Sequence, residues 1–388
     1  MPWAQTDPMS ERLRFVIAVR KNKSTFRSLC AAFGVAPKTG YKWLHQFEAA
    51  GPAGLQDRSR RPKSNRRAIS AEVAERLVEL RRAHPTYGPK KLVPLLEQAE
   101  PAWDVPALST VGELLKRRGL VGPRKRRHRA RPGTHPLSHA NAPNAVWAMD
   151  FKGWFRLPDG SRCEPLTITD AFSRYLLCCR AAIFGPGISR LVWAELETLF
   201  CERGMPVAMR FDNGQPWATP KGELGITRLA VKLLRLGITL ERIDPGRPYQ
   251  NGRHERFHLT LEQETAQPPQ ANMRAQQRRF DAFLEEYNHR RPHEALGQRV
   301  PAALYRDSPR RPPKRIPEAE YPSFFEVVTG MAGGRIVFRG TKYFLSTPLV
   351  GERVGFVEVE EGCFAVYFCN HLLGRIHTAH PELGLVAA

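Results

Sequence analysis

The 388-residue sequence predicts a multidomain protein: an all-α N-terminal part with two helix-turn-helix units, a central α/β domain with a mixed sheet, and a small C-terminal β-barrel. Three observations lead there. Before residue 121, apolar residues recur at helical spacing and glycines fall just past the runs. Between 143 and 300, strand-like runs come first as a meander and then alternate with amphipathic stretches. After 321, short strand-like runs are separated by turn residues at even intervals. The expected boundaries are a first helix-turn-helix domain at 1–57, a basic linker at 58–68, a second helix-turn-helix domain at 69–121 and a basic linker at 122–142. The catalytic α/β core follows at 143–300, a Pro/Arg-rich linker at 301–320 and the β-barrel at 321–388.

The first domain opens with a helix through Leu13, Val16, Ile17 and Arg20. A second helix, Thr25 to Phe33, has Phe26, Leu29, Cys30 and Phe33 at offsets of three, four and seven, and Gly34 suits a left-handed stop. Pro37 opens a third helix that ends before Gly51. Two short helices joined by a tight turn form a helix-turn-helix, which places Lys38, Thr39 and Lys42 toward a DNA groove. In the second unit Ser70 caps a helix to about Ala83, Pro89 starts another, and Ser109 caps a third that Gly119 ends.

In the core, VWAMDFKGWFRL reads as one strand, and CEPLTITDAFSRYLLCCRAAI as two more broken near Asp170 to Ser173. A helix to Gly204, a strand Val207–Phe211, a helix from about Glu223 to Leu236, a strand Ile238–Glu241 and a last helix after Pro248 complete it. In the tail, strands are expected at Arg335–Arg339, Lys342–Ser346, Arg353–Glu360, Cys363–Cys369 and Leu372–Thr378.

Hydrophobic residues make up 42% of the chain, which excludes wholesale disorder. No apolar run reaches the length of a membrane helix and no signal peptide is expected, so a soluble, cytoplasmic protein with no membrane partner is anticipated. The seven cysteines include no CxxC pair, which argues against a disulfide framework and a cysteine zinc site. The net charge of +22 is uneven: residues 1–142 hold 28 basic and 11 acidic side chains, against 22 and 18 in 143–300. Such a concentrated excess implies a polyanionic partner, nucleic acid first. Arg58, Arg60 and Arg61 in the first linker, and Arg124, Lys125, Arg126 and Arg127 in the second, are expected along phosphates.

The chemistry rests on three acids that this layout converges: Asp150 within the first strand, Asp212 after the 207–211 strand, and Glu255 on the last helix. Grouped carboxylates repel unless they share cations. Hard oxygen ligands suit Mg²⁺ or Mn²⁺, and two ions can hold the attacking and leaving oxygens of a phosphodiester displacement. Asn251 and Glu255 are four apart and share a helix face; Asn251 and Asn213 are candidates for orienting substrate. Asp170 and Asp244 are the competing acids, His254 is read as either a phosphate contact or a surface residue, and His293 as structural.

The motifs WAMDFKGWF, LTITDAFSRYLL, RFDNGQPW, PYQNGRHERFH and YNHRRPHEALGQRVPAALY resemble the DDE, integrase-core transposases of bacterial insertion sequences, relatives of retroviral integrases, over about 145–305. The resemblance implies an RNase H-like fold and a catalytic, metal-binding triad at Asp150, Asp212 and Glu255. It implies 3′-end cleavage and strand transfer on double-stranded DNA, both terminal inverted repeats and target, by a homo-oligomer that is at least a dimer. Arg247, Arg253 and Arg256 would neutralise that DNA. The N-terminal region lacks the paired His and Cys of the retroviral zinc domain, so no zinc is expected. The Asp212–Glu255 gap of 43 positions exceeds that of the retroviral relatives, suggesting a longer intervening helix. The rival readings are a catalytically inactive, sequence-specific DNA-binding regulator and a structure-specific nuclease.

Overall fold

The computed structural model describes residues 7–57, 69–122, 140–212, 214–217, 224–243 and 252–387. The chain divides into two compact units, Met1–Ala68 and Ile69–Ala388. The first holds α1 (Pro8–Arg20), α2 (Phe26–Ala32) and α3 (Pro37–Ala50). Thr25 Oγ1 accepts the Ser28 N–H and caps α2. Buried Gly40 lets α3 approach its neighbours: a Cβ there would meet Cys30 Sγ and the Phe15 ring at 2.9 Å. Phe15, Val16, Cys30, Trp43 and Leu55 form the small core. That leaves Lys38, Thr39 and Lys42 exposed along α3.

The second unit begins with α4 (Ala71–Ala83), α5 (Pro89–Ala99) and α6 (Leu108–Arg117) around fully buried Leu77, Leu92, Leu96 and Val111. Ser70 caps α4 by accepting the Val73 N–H at 3.3 Å. Ser109 does not cap α6: the helix already starts at Leu108, its N-cap is Ala107, and no side chain makes the cap bond. The extended chain after Pro106 feeds straight into the turn that buries Val111, so packing set the boundary rather than the hydroxyl.

The core is a five-stranded mixed sheet of β1 (Val146–Phe151), β4 (Leu166–Asp170), β5 (Leu176–Arg180), β6 (Ala208–Phe211) and β7 (Thr239–Arg242), in the order β5-β4-β1-β6-β7. β1 runs antiparallel to β4 and parallel to β6. This arrangement fits an RNase H-like core. The first strand is shorter than expected: it ends at Phe151, Gly153 takes a φ of +87°, and β2 (Phe155–Arg156) pairs only with β3 (Arg162–Cys163) as a separate ribbon. The helix between Asp212 and Glu255 is not extended either, since α8 (Arg228–Arg235) has eight residues. Residues 213, 218–223 and 244–251 of this interval lie outside the described residues.

The sheet has two unlike faces. Trp147, Met149, Ile168, Met209 and Phe211 point to one side, where α7 (Ile188–Arg203), α8 and the C-terminal region join a single apolar cluster. Ala148, Asp150, Thr167, Thr169 and Arg210 alternate with them and face α9 (Gly252–Leu261) and α10 (Met273–His289). Phe257, Leu261, Phe280, Phe283 and Tyr287 cover that side. β5 is an edge strand, and α10 satisfies it with side-chain amides. Asn288 accepts the Leu176 N–H at 2.8 Å and donates to the Leu176 carbonyl at 2.9 Å. Gln277 does the same for Ala181 N–H and the Cys179 carbonyl. Two amides thus stand where a further strand would pair.

The Pro/Arg-rich stretch 301–320 is fastened to the core: Arg310 donates to the carbonyls of Pro206, Leu236 and Gly237. The C-terminal region is not a closed barrel. β8 (Glu326–Thr329), β11 (Arg353–Glu360), β12 (Cys363–Phe368), β13 (His371–His377) and β14 (Val386–Ala387) form an open sheet in the order β14-β13-β12-β11-β8. β9 (Arg335–Phe338) and β10 (Thr341–Phe344) form a separate hairpin. Phe338 of the hairpin stacks on Phe356 of β11 at 4.3 Å, so the hairpin packs on the sheet through aromatic contact. Turn residues specify which strands are neighbours in sequence, not whether the first and last strands meet. No helix among the described residues is long and apolar enough to cross a membrane.

Asn288→Ala strips two buried backbone groups of β5 of their partners, and each orphaned group costs about 1–3 kcal/mol. The expected result is a clear fall in the urea midpoint of the core; an unchanged midpoint would mean that the edge is held elsewhere.

Candidate active site

Asp150 lies in β1, and the β1–β6 register pairs Val146 with Ala208, Trp147 with Met209 and Ala148 with Arg210. Two more steps of that register put Asp150 alongside Asp212, which directly follows β6. Both carboxylates therefore stand at the C-terminal ends of neighbouring parallel strands, a position where ligands commonly meet α/β sheets. The loop after Asp212 is anchored by Trp217, buried between Phe151 and Phe211 at ring distances of 5.7 and 6.0 Å. Asp212 Oδ1 accepts the Gly214 N–H at 3.0 Å. A Cβ at Gly214 would sit 3.1 Å from the other carboxylate oxygen, so glycine permits that close approach.

The third acid, Glu255, is exposed on α9. Its helix neighbours His254 and His258, one turn apart, point into the sheet and are 3% and 9% exposed. Both Nε2 atoms meet one hydroxyl: Thr167 Oγ1 lies 2.8 Å from His254 and 2.9 Å from His258. Thr167 also donates to the Asp150 carbonyl at 3.0 Å. With its proton committed there, the hydroxyl accepts from both rings, which assigns both as Nε2–H tautomers. Burial pulls His254 down to about 3; burial, then His254 and Lys152, pull His258 to about 2. Both are neutral at physiological pH. A second tie, Lys152 to Glu262 at 2.8 Å, joins the chain just after β1 to the π-turn Glu262–Ala266 that follows α9.

The residues brought together are thus not only those anticipated. Among the described residues, the group whose ligand atoms all lie within 4.8 Å of one another is Asp150, His254 and His258. Asp212 and Glu255 do not belong to it. His254 is neither a surface residue nor a phosphate contact, because the β4 hydroxyl takes it inward. The missed participants are Thr167 and His258. The i, i+4 spacing of the two histidines was a visible signal; Thr167, 87 positions from His254, carried none. Asp170, the competing acid, is fully buried. Its carboxylate accepts the N–H groups of Asn144 at 2.8 Å and Ser173 at 2.7 Å, which makes it a turn staple. His293 packs its ring edge-on to Tyr287 at 4.7 Å, with its backbone closing the turn that follows α10. Asn213, Asp244, Arg247, Asn251, Arg58, Arg60, Arg61, Arg124, Lys125, Arg126 and Arg127 lie outside the described residues.

Chemically, Asp150 and Asp212 offer a pair of hard oxygen donors at one sheet end, a donor set that fits a divalent cation such as Mg²⁺. The imidazoles, occupied by Thr167, leave that role to oxygen.

An integrase core domain model matches residues 236–301, a homeodomain-like domain model 39–115 and a helix-turn-helix domain model 11–63. Residues 236–301 thus resemble an integrase core domain, and the N-terminal matches are to helix-turn-helix domains. The chain is 31% identical over 238 residues to "Insertion element IS476 uncharacterized 39.2 kDa protein" of Xanthomonas euvesicatoria, covering 60% of this chain and 64% of that protein. It therefore spans slightly less than two thirds of that relative. It is 29% identical over 236 residues to "Insertion element IS407 uncharacterized 31.7 kDa protein" of Burkholderia multivorans, covering 59% of this chain and 79% of that one. Among solved structures, a simian T-cell lymphotropic virus intasome chain aligns with a TM-score of 0.37 and 14% identity, over 76% of this chain and 97% of its own.

Thr167→Val keeps the shape and removes the hydroxyl, leaving two buried ring N–H groups unpaired at about 1–3 kcal/mol each. Its urea midpoint should drop while Thr167→Ser stays near wild type; equal midpoints would deny the shared bond. The α/β core should also weaken in acid. Both rings regain their ordinary value of 6.5 in the unfolded chain but stay near 3 and 2 when folded, so the unfolded state binds protons first. Stability is then full above pH 6.5 and declines as pH falls toward 3, by up to about 1.4 kcal/mol per pH unit for each ring. Urea midpoints at several pH values between 7.5 and 5 would show the decline, and a flat profile would mean the rings are not buried neutral.

Proposed function

We propose that this protein is an insertion-element transposase that cleaves the 3′ ends of its element and joins them to target DNA. The proposal is supported by the parallel β1–β6 register, which continued two steps past the Ala148–Arg210 pair brings Asp150 level with Asp212, and by α9, the helix of Glu255, covering the same face, within a region that includes the match to an integrase core domain. In this reading Asp150, Asp212 and Glu255 hold Mg²⁺ or Mn²⁺, two ions per site. When bound, such ions polarise the scissile phosphodiester and lower the pKa of an attacking water or hydroxyl.

The chain's own residues divide the remaining work. Asp150 and Asp212 offer their oxygens from rigid strand ends, so their separation is set by the β1–β6 ladder. Glu255 is carried on α9, whose position over the sheet is held by the Thr167 hydroxyl and the Lys152–Glu262 pair. His254 and His258, neutral and hydrogen-bonded inward, brace the helix and leave proton transfer to groups at the open end of the site. Arg253 and Arg256, exposed on either side of Glu255, neutralise the DNA backbone, assisted by the basic segments before residue 142. The exposed face of α3, with Lys38, Thr39 and Lys42, reads a DNA groove. Asn213 and Asn251 orient substrate. Joining two ends requires at least a dimer assembled on DNA, in the cytoplasm of its host.

The test uses purified protein, Mg²⁺ and a labelled duplex carrying the element end, with nicking and joining to a second duplex as readouts. Asp212→Asn should lower both by about a hundredfold or more, because a lost charge-stabilising ligand raises the barrier by several kcal/mol. End binding should persist. Specific binding by the wild type without nicking or joining, in Mn²⁺ as well, would instead identify a DNA-binding regulator.

A further inference from the structure

A cavity of about 580 Å³ opens between the second helical domain and α9–α10. Its wall is dominated by positive side chains: Lys91 from α5, Arg174 from the β4–β5 turn, Arg253 and Arg256 from the first turns of α9, and Arg291 after α10. Glu294 is the acid on the wall, and it is paired with Lys90. Arg291 is buried and paired with Glu264. Among the described residues, no carboxylate lies in ion-pair range of Lys91, Arg174, Arg253 or Arg256. Three guanidinium groups and a partly charged lysine around one concavity repel one another, a cost that an anion would relieve.

Two details show that the charge is held in place. Arg174 has a left-handed backbone, φ +65°, unusual for a non-glycine residue, and its guanidinium is tied to the Ala171 carbonyl at 2.9 Å. Lys91 is depressed to about 7 by burial first and then by Arg291, with Glu264 and Glu294 acting the other way, so an anion seated beside it would favour its charged form. The volume falls in the range of ligand clefts, roughly 300–1,000 Å³, so it accommodates more than an isolated ion. The N-terminal turn of α9 lines it too, which adds the positive end of a helix dipole.

We infer that this cavity is a binding site for the phosphodiester backbone of a DNA strand, gripped jointly by the second helical domain and the helix that carries Glu255. The inference rests on the reading of the chain as a DNA-joining enzyme and names a contact surface for it. The two walls are locked to each other: Tyr87 donates to the Glu286 carboxylate at 3.2 Å and Thr86 to Glu264 at 2.6 Å. A strand seated between them is therefore registered against α9 by the same domain that helps to hold the element end.

The experiment is an anisotropy titration of the full-length protein with a labelled element-end duplex, between 50 and 300 mM NaCl, for wild type, Lys91→Gln, Arg174→Gln and Lys91→Arg. Each lost phosphate contact should reduce the slope of log affinity against log salt by about 0.9 and weaken binding roughly three- to tenfold at 100 mM. Lys91→Arg should keep the wild-type slope. Arg253→Gln, on the exposed face of α9, makes the same measurement if either buried cation proves necessary for folding. Wild-type slopes in the folded glutamine variants, with DNA joining intact, would overturn the site and leave the proposed function standing. Reduced slopes in a protein that binds but never joins would keep the site and discard the catalytic reading. A wild type that binds no duplex would overturn both. Calorimetry with inorganic phosphate is the remaining arm: phosphate binding that Lys91→Gln abolishes, with DNA slopes unchanged, would identify a free-phosphate site and overturn the inference.

Discussion

The Thr167 hydroxyl is the point on which the site depends. One oxygen joins the Asp150 carbonyl of β1, its own strand β4, and both imidazoles of α9. A helix packed on a sheet by apolar contacts alone can slide by fractions of a turn at little cost. A buried hydroxyl shared by two rings cannot, because any shift orphans polar groups in a low-dielectric interior. The helix bearing Glu255 is thereby referenced to the strand bearing Asp150 through one residue of the adjacent strand.

The need for such a device follows from the composition of the two sheet faces. The face toward α7, α8 and the C-terminal region is apolar and joins one continuous core, which requires no polar matching. The opposite face carries Asp150, Thr167, Thr169 and Arg210, and each of these must be satisfied or left at an open edge. Arg210 pairs with Glu241, Thr167 takes the imidazoles, and the α10 amides close the β5 edge. What stays at the strand ends is a pair of carboxylates, the groups that can bind a cation.

The same logic extends outward. Burial of Asp170 beneath the N–H groups of Asn144 and Ser173 removes one acid from the surface and shapes the β4–β5 turn. Arg174, next along that turn, is thrust toward the cations of α9. The positive wall against α9 is thus shaped partly by the turn that buries Asp170.

The sequence by itself determined the parts whose information is local. Helical periodicity and turn glycines located α1 to α5 in both helical units, alternating runs located the core strands, and the motifs proposed Asp150, Asp212 and Glu255 as a site. The charge asymmetry pointed to a polyanion before any fold was known. Tertiary structure alone decided what depends on residues far apart in the chain. It brought Thr167 to His254 and His258, set the register that aligns Asp150 with Asp212, and placed Lys91 opposite Arg256. It also left the C-terminal sheet open, with β8 and β14 as its edge strands, because whether first and last strands meet is not encoded in turn residues. Local propensity reaches a few residues along the chain; the pairing of distant strands and helices is chosen by burial and hydrogen-bond satisfaction over the whole domain, which no single segment encodes.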